Sequence, residues 1–470
     1  MSSKKIGALG LVMINLVAID SLRNIPLTAP AGLSIIVLYL VAVLIFFIPC
    51  AIAVGELTGK WPAMGGISIW ADKAFGPNVS FFVVWLQWIY NLVWFPSITA
   101  FAATHLAYGW TFTTGRDIIL LTNSPAFVAV LCVLLFWGAT LINCFGMRPA
   151  SILSGIGTIV GTLFPMILII ILGVTWFVTG NQINLFSANF NYNQGSIIGL
   201  LVVVLFSLMG LEIASAHAGA VNNPVKNYPR ALWLTVLIVP LSLIFSNLAI
   251  GLIIPSDQIN PRAGLIDSFV IFFKAFKIPW MIEVMAFLLF IGAFGAIGTW
   301  AFGLSRYLNK ISEKGYLPKK FAETNKNNVP RNALVLQAII VTILSCLYLW
   351  MPDVETAYWY LSCLTAQLAL IAYIIFFIAA IKLRIKTSWD KQKEYIFAPT
   401  WISVFFYALG IIGSLAGLFA GFILPDTSMP LWKFDAMLAM GMIITCIIPA
   451  IVKVVKKCRI PGIRKIVKEN

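Results

Sequence analysis

Long apolar runs recur along the chain, and shorter polar segments separate them. A helix needs about 20 apolar residues to cross the hydrocarbon core of a bilayer. The runs have this length and carry almost no charge, which predicts membrane-spanning helices rather than the amphipathic helices of a soluble domain. We predict twelve spans. They lie near residues 7–28, 33–58, 77–107, 124–145, 150–179, 195–220, 231–254, 279–307, 332–351, 357–382, 398–423 and 431–455.

The composition excludes a soluble protein. Apolar residues make up 60% of the 470 residues and charged residues 10%, whereas soluble domains have about 45–50% and about 25%. So few charges could not cover the surface of a globule in water. The chain is therefore predicted to be an all-α polytopic membrane protein.

Basic residues determine the predicted orientation. With the N-terminus in the cytoplasm, the regions richest in Lys and Arg (306–331, 382–393 and 453–468) all lie on the cytoplasmic side. This distribution satisfies the positive-inside rule and predicts an inner-membrane protein with both termini cytoplasmic. The net charge of +15 then lies beside anionic lipid, so the bilayer is an expected partner and nucleic acid is not. The oligomeric state is left open.

Two predicted spans carry residues that are costly within a bilayer. The first contains Asp20 and Arg23 three positions apart, followed by Pro26, and the sixth contains Glu212 and His217 between glycines. Irregular backbone at membrane depth is tolerated where it lines a cavity enclosed by protein. We therefore expect both spans to be broken and to face a binding site.

Breaks at the first and sixth positions indicate a five-plus-five inverted repeat with the ligand near the membrane midplane. On this interpretation the 470 residues form one transmembrane transporter domain. Its predicted parts are a first repeat at 7–179 (spans 1–5), a second repeat at 195–382 (spans 6–10), two further spans at 398–455 and a basic cytoplasmic tail at 456–470.

Three motifs resemble those of amino acid–polyamine–organocation permeases. They are the sixth-span segments 206–215 and 222–229, the segment 305–318 after the eighth span, and Glu56 with Gly65-Gly66 and 74–77 in the second loop. Within that superfamily the sixth span looks closest to bacterial glutamate:GABA exchangers, with arginine:agmatine exchangers as near relatives. The resemblance implies a twelve-helix transporter that works by alternating access.

The resemblance also implies where ligands bind. Candidate substrate-binding residues are Asp20, Ser21, Arg23, Asn24, Phe206, Ser207, Gly210 and Trp300. Candidate proton-coupling or pH-sensing residues are Glu212 and His217. One departure concerns the first break, where Ile19-Asp20-Ser21 stands in place of the Gly-Ser-Gly of many permeases.

Several of these residues have two interpretations. Arg23 could bind a substrate carboxylate through its guanidinium fork, or pair permanently with Asp20 or Glu212. Glu212 could carry a coupling proton or cap unwound backbone, and His217 could respond to pH or make a structural hydrogen bond. The aromatic stretch of Trp88, Tyr90, Asn91 and Trp94 in span 3 could line the cavity, but core packing is the favoured interpretation.

Neither the cysteines nor any motif indicates catalysis. The seven cysteines are scattered without a Cys-x-x-Cys pair, so a metal site, a cofactor and a disulfide framework are not expected. The sequence also has no P-loop, His-Glu-x-x-His or Gly-x-Ser-x-Gly motif. We expect a transporter of amino acids or their decarboxylation products and favour exchange. The alternatives are proton-coupled amino acid or polyamine symport and a nutrient receptor that binds without transporting.

Overall fold

The apolar runs fold as helices because a helix satisfies its own backbone hydrogen bonds where no water is available. The structure is a computed structural model. It describes residues 7–19, 21–61, 66–114, 121–146, 155–181, 194–213, 215, 221, 224–313, 315, 318–390, 394–423 and 428–459. Within these residues ten helices are long and apolar enough to cross a membrane, and a shorter apolar segment covers Ile197–Ile213. Together with the N-terminal helix, these elements agree with the predicted spans.

The helices, in chain order, are α1 (Ala8–Ile19), α2 (Ile25–Thr28), α3 (Ser34–Ala42), α4 (Ile48–Lys60), α5 (Ile67–Phe75), α6 (Pro77–Thr114), α7 (Pro125–Cys144), α8 (Phe164–Val178), α9 (Gln194–Gly199), α10 (Leu201–Ser207), α11 (Pro224–Ile253), α12 (Gly264–Ala275), α13 (Met281–Glu313), α14 (Arg331–Ser345), α15 (Leu347–Trp350), α16 (Val354–Lys386), α17 (Thr400–Ala420) and α18 (Leu431–Arg459).

The first span is broken as predicted. Helix α1 ends at Ile19, and the chain resumes with a 3₁₀ turn at Leu22–Asn24, α2 and a second 3₁₀ turn at Ala29–Ala31. Ser21, just before the first turn, has extended backbone angles. The second half of the span therefore starts as a new helical N-terminus, whose first N–H groups have no preceding helical turn to accept them.

The sixth span is also broken as predicted. Helix α10 ends at Ser207, and the backbone from Leu208 to Gly210 leaves the helical path before a short turn at 211–213. Gly210 has φ 124°, a conformation that side chains with a Cβ rarely adopt. The glycine is therefore what allows the helix to stop at this depth.

Two helices lie in loops where no helix was predicted. They are α5, between spans 2 and 3, and α12, between spans 7 and 8. Each is shorter than a membrane span and mixes apolar with charged residues, so neither has the long apolar run that predicts a span. Helix α5 buries Trp70, and α12 buries Phe269 and Phe272, against the bundle.

Spans 2 and 5 each contain a π-helical segment ahead of a proline. The segments are Val43–Phe47, before Pro49, and Ile159–Leu163, before Pro165. Proline offers no N–H and crowds the preceding turn, and a wider turn accommodates it. The segment in span 5 packs against α13.

The bundle encloses the two broken spans. Helix α6 packs against α13 and α16, and α10 packs against α16 and α17. Large apolar side chains remain exposed on the outer faces of many spans, for example Val37, Leu134 and Ile167. A bilayer solvates such side chains, so the apolar exterior agrees with a multi-pass membrane protein. The limits of the two inverted repeats stay a prediction.

Candidate functional site

The two broken spans meet at the centre of the bundle. A Cβ built on Gly210 would lie 3.3 Å from the carbonyl oxygen of Ala18 and 3.3 Å from the side chain of Ile19. The end of α1 therefore touches the irregular backbone of span 6. Glycine suits this position because of its φ and because of the close approach.

A cavity opens at this junction. Its empty volume is about 1140 Å³, part of it open to solvent. The wall combines the two broken spans with spans 3, 5, 8 and 10. Lining residues that bear on the argument are Ser21, Arg23, Asn24, Tyr90, Asn91, Trp94, Phe206, Gly210, Glu212 and Trp300.

The cavity lies near mid-depth in the bundle. Its lining residues in α13 run from Leu289 to Trp300, on both sides of the middle of that span, and those in span 3 run from Tyr90 to Phe101. Span 5 contributes Thr158 and Thr162 from its first turns.

Arg23 lies in the cavity wall and is buried, with a relative exposure of 1%. One Nη donates to the hydroxyl oxygens of Ser97 at 2.7 Å and Ser362 at 3.0 Å, and the other donates to Oδ1 of Asn24 at 2.9 Å. The guanidinium also lies 5.6 Å from the ring centroid of Tyr358. These partners are all uncharged.

Glu212 lies in the same wall and is bonded to span 10. The hydroxyl of Tyr373 accepts the backbone N–H of Gly210 at 3.0 Å and donates to the carboxylate of Glu212. Tyr373 therefore connects the irregular backbone of span 6 to its acid. Among the residues that the structure describes, neither Glu212 nor Arg23 has an ion-pair partner within 4.0 Å.

The structure brings most of the described site candidates together. Ser21, Arg23, Asn24, Phe206, Gly210, Glu212 and Trp300 all line the cavity. Ser207 does not: it is buried, and its hydroxyl donates to the carbonyl of Val203 at 2.8 Å within α10. Asp20 and His217 lie outside the described residues.

Span 3 contributes more to the wall than the sequence indicated. Tyr90, Asn91 and Trp94 line the cavity, whereas Trp88 is buried away from it. The rings of Trp94 and Trp300 lie 6.2 Å apart in an edge-to-face arrangement. An aromatic stretch looks the same in sequence whether it packs in the core or faces a cavity, which is why it was interpreted as packing.

Three further residues bind the charged groups of the site but could not be recognised from the sequence. Ser97, Ser362 and Tyr373 are single polar residues within long apolar helices, and their roles depend on which side chain lies opposite each of them. A buried acid or cation in a span predicts that such partners exist. It does not identify them.

A second charge cluster lies around Glu56, near the C-terminal end of span 2 in α4. The carboxylate of Glu56 is 3.3 Å from Nε of Arg384, and it accepts the N–H of Phe397 at 2.9 Å and the hydroxyl of Ser403 at 3.0 Å. The hydroxyl of Tyr407 also donates to it. This cluster joins α4 to α16, α17 and the segment between them.

The cavity contains the groups needed to hold a zwitterion. An anionic group is favoured by the partial positive charge at the N-terminus of the second half of span 1 and by the Arg23 guanidinium. The carbonyls at the C-terminal end of α10 and the Glu212 carboxylate favour an ammonium group. Within the described residues no group of three or more His, Cys, Asp and Glu could hold a metal ion.

Comparisons with known proteins agree with this geometry. A family model described as amino acid permease matches residues 6–450. An uncharacterized transporter of Legionella pneumophila is 36% identical over 457 residues, which cover 95% of this chain and 96% of that protein. A glutamate/gamma-aminobutyrate antiporter of Lactococcus lactis is 25% identical over 462 residues, covering 96% and 91%. The crystal structure of MhsT in complex with L-phenylalanine has a TM-score of 0.59 at 13% identity, covering 89% of this chain and 99% of that chain.

Proposed function

This chain belongs to the amino acid permease family of the amino acid–polyamine–organocation superfamily, a family of transporters, and on that premise we propose that it exchanges amino acids or their decarboxylation products across the cytoplasmic membrane. The observation that carries the proposal is the cavity between the broken first and sixth spans, with Arg23 and Glu212 in one wall. Broken helices at matching positions are the usual substrate site of transporters built from inverted repeats.

The ligand occupies the cavity in a defined direction. Its carboxylate lies where the second half of span 1 begins, at Leu22, because the first N–H groups and the dipole of a helical segment favour negative charge. Its ammonium group meets the carbonyls at the end of α10. Phe206, Trp300 and Trp94 enclose its carbon chain, because aromatic side chains supply apolar contact area at low conformational cost.

Transport then follows by alternating access. The cavity lies near the middle of the bundle, between the two broken spans. Rocking of the broken spans and their neighbours against the rest of the bundle exposes the site to the opposite face. Both termini are assigned to the cytoplasm because the basic loops face that side.

Proton-coupled symport of an amino acid or polyamine is the second candidate. One observation favours it: Glu212 lies in the cavity wall and, among the described residues, has no cation within 4.0 Å to neutralise it. A buried acid of this kind can take up a proton together with the ligand and release it on the other side. A nutrient receptor of the same fold is the third candidate, and flux separates it from both.

Flux into proteoliposomes tests these proposals. Vesicles of purified protein are preloaded with one amino acid or amine, or left empty, and are then given a labelled panel with and without a proton gradient. Uptake that requires an internal partner establishes exchange. Uptake into empty vesicles that requires the gradient establishes symport, and binding without any flux establishes a receptor.

A further inference from the structure

Three buried hydroxyl groups have no hydrogen-bond partner among the residues that the structure describes. They belong to Thr58 in span 2, Ser215 just after the break in span 6 and Tyr228 in span 7, and each of these residues is 2% exposed. Leaving a buried hydroxyl unpaired is unfavourable, and ordered water usually supplies the missing hydrogen bonds inside proteins. The three groups therefore mark positions where the interior of the bundle can bind water.

Each of the three hydroxyls lies close to the break in span 6 or to another of the three. The hydroxyl of Thr58 lies beside that of Tyr228, although the two do not form a hydrogen bond. A Cβ built on Gly66, in the loop after span 2, would lie 3.4 Å from Oγ of Ser215 and 3.4 Å from the backbone carbonyl oxygen of Glu212. Water can bridge hydroxyls that are too far apart to bond directly.

This group of hydroxyls extends from Glu212 toward the predicted cytoplasmic side. Glu212 interacts electrostatically with Cys50 in span 2 and with Tyr228 in span 7. Thr58 follows Cys50 in the same helix, which places it about 12 Å further along the helix axis. The helix ends at Lys60, and the loop that follows is predicted to be cytoplasmic. The hydroxyls therefore lie between the acid and that face.

The other titratable groups around Glu212 carry no charge that could neutralise it. Among the described residues, those that interact with it electrostatically are Cys50, Tyr90, Tyr228, Tyr307 and Tyr373, from spans 2, 3, 7, 8 and 10. Tyrosine and cysteine are neutral near pH 7. When no ligand cation is bound, a proton is the counter-charge that Glu212 can take up, and it must reach a buried group.

We propose that Ser215, Tyr228 and Thr58, with ordered water between them, form the path by which protons pass between Glu212 and the cytoplasmic face. The proposal rests on the proton-coupled form of the proposed function and assigns the inner proton route of that form. Each hydroxyl or water accepts a proton from one neighbour and releases its own to the next. The carboxylate of Glu212 gains or loses one proton, and bulk water at the inner face loses or gains it, so charge and protons balance.

Removing two of the hydroxyls with little change in side-chain shape tests the path. Thr58→Val and Tyr228→Phe are made singly and together, and because neither hydroxyl has a protein partner, the variants should stay folded. The substrate is the labelled amino acid that the wild-type protein takes up fastest. In empty proteoliposomes the double variant should slow its gradient-driven uptake, and the proton movement reported by a trapped pH dye, at least about tenfold. Exchange of labelled for unlabelled amino acid at equal pH on both sides should be unchanged, because it needs no net proton movement.

Thr140→Val is the matched control for the threonine. Thr140 in span 4 is also 2% exposed, and its hydroxyl also lacks a partner among the described residues, but it does not line the cavity. The control should keep the wild-type rate in both assays. Thermal melting of all the variants checks that each is folded.

Three results would overturn the proposal. Gradient-driven uptake by the double variant that equals that of Thr140→Val would mean that protons reach Glu212 by another route. Equal losses of gradient-driven uptake and of exchange would reduce the hydroxyls to a structural role. Wild-type exchange that moves no protons would remove the path and leave the transport function in place, whereas the absence of any flux in the wild type would remove that function too.

Discussion

At the scale of single residues, Glu212 combines burial in the cavity wall with a hydrogen bond from span 10. Tyr373 donates to Glu212 and accepts from the backbone of Gly210. A change in the charge of Glu212 would therefore alter the hydrogen bond that Tyr373 makes to the irregular backbone of span 6. A proton on Glu212 and the conformation of the break are therefore coupled through one hydroxyl.

Glu212→Gln should flatten the pH dependence of transport while leaving the protein folded. Glutamine keeps the shape and can accept from Tyr373, but it does not titrate. The measurement is flux into proteoliposomes from mildly acidic to mildly alkaline pH. Tyr373→Phe is the control: it removes the hydroxyl but keeps the acid, so it should lower flux and retain a pH-dependent profile. An unchanged profile in Glu212→Gln would falsify the proton-coupling role.

Asp267 in α12 provides a test outside the membrane spans. Tyr108 donates a hydrogen bond to its carboxylate, and burial raises the pKa of Asp267 from 3.8 to about 6. Between these values the folded protein binds the proton more tightly than the unfolded chain. This acid therefore lowers the free energy of unfolding as the pH rises from 3.8 toward 6, by up to about 3 kcal/mol.

Asp267→Asn should remove this pH-dependent loss in the free energy of unfolding, because asparagine accepts a hydrogen bond from Tyr108 without ionising. The variant should be more stable than the wild type near neutral pH and equally stable below pH 3.8. Thermal unfolding in detergent, followed by tryptophan fluorescence across this range, measures the difference. Identical pH dependence in the two proteins would mean that Asp267 is as solvated when folded as when unfolded.

At the scale of helices, the sequence located the two breaks for a physical reason. Charged residues and proline near Arg23, and an acid with glycines near Glu212, are too costly for a lipid-exposed helix, so they predict irregular backbone facing protein. The partners of these residues could not be predicted, because they come from α6 and α16 and depend on helix rotation. The same reason explains why the contribution of Tyr90 and Trp94 to the wall was missed.

The cluster around Glu56 predicts a difference between two ion pairs that lie close in sequence. Glu56 and Arg384 are buried, with side-chain exposures of 0% and 3%, whereas Lys60 and Glu394, 2.8 Å apart, are 12% and 16% exposed. Removing one partner of a buried pair leaves an uncompensated charge and costs about 3–5 kcal/mol. A pair nearer the surface contributes about 1 kcal/mol or less.

Arg384→Met should therefore lower the free energy of unfolding far more than Lys60→Met. Adding Glu56→Gln to Arg384→Met should recover part of the loss, since the stranded carboxylate is then neutral. Thermal melting of the four proteins provides the comparison. Equal effects of Arg384→Met and Lys60→Met would show that water or other groups compensate Glu56.

Spans 5 and 8 cross at two glycines in the cavity wall. A Cβ on Gly292 would lie 2.3 Å from the carbonyl oxygen of Gly161, and a Cβ on Gly161 would lie 2.4 Å from the backbone of Gly292. Contacts this short cannot be relieved by a rotamer change, so the helices must move apart. Small residues at such crossings are what allow membrane helices to approach closely.

Gly292→Ala should cost about 1–3 kcal/mol of stability and reduce flux, because the shift widens the cavity. Gly298→Ala is the matched control in the same helix, since a Cβ there meets nothing within 4 Å. Melting temperature and initial uptake rate are measured on both variants. If Gly292→Ala behaves like Gly298→Ala, the crossing is looser in the membrane than the geometry indicates.

At the scale of the whole molecule, most of the architecture was predictable from apolar runs alone. A membrane limits the choice to helices that span it, so the length and order of the runs nearly determine the bundle. Helices α5 and α12 were not predicted, because they lie in the connections between spans. A helix there has no fixed length and mixes polar with apolar residues. The complete site could not be predicted from the sequence, because its wall combines residues from six spans that are far apart along the chain.

Orientation in the membrane is the prediction that links the cavity to the direction of transport. Exposed Lys326 follows span 8 on the predicted cytoplasmic side, and exposed Lys274 in α12 lies on the predicted outer side. In a variant whose seven native cysteines are replaced, Lys274→Cys should react with a membrane-impermeant maleimide on intact cells. Lys326→Cys should react only after the membrane is permeabilised. The opposite pattern would invert the topology and place both termini outside.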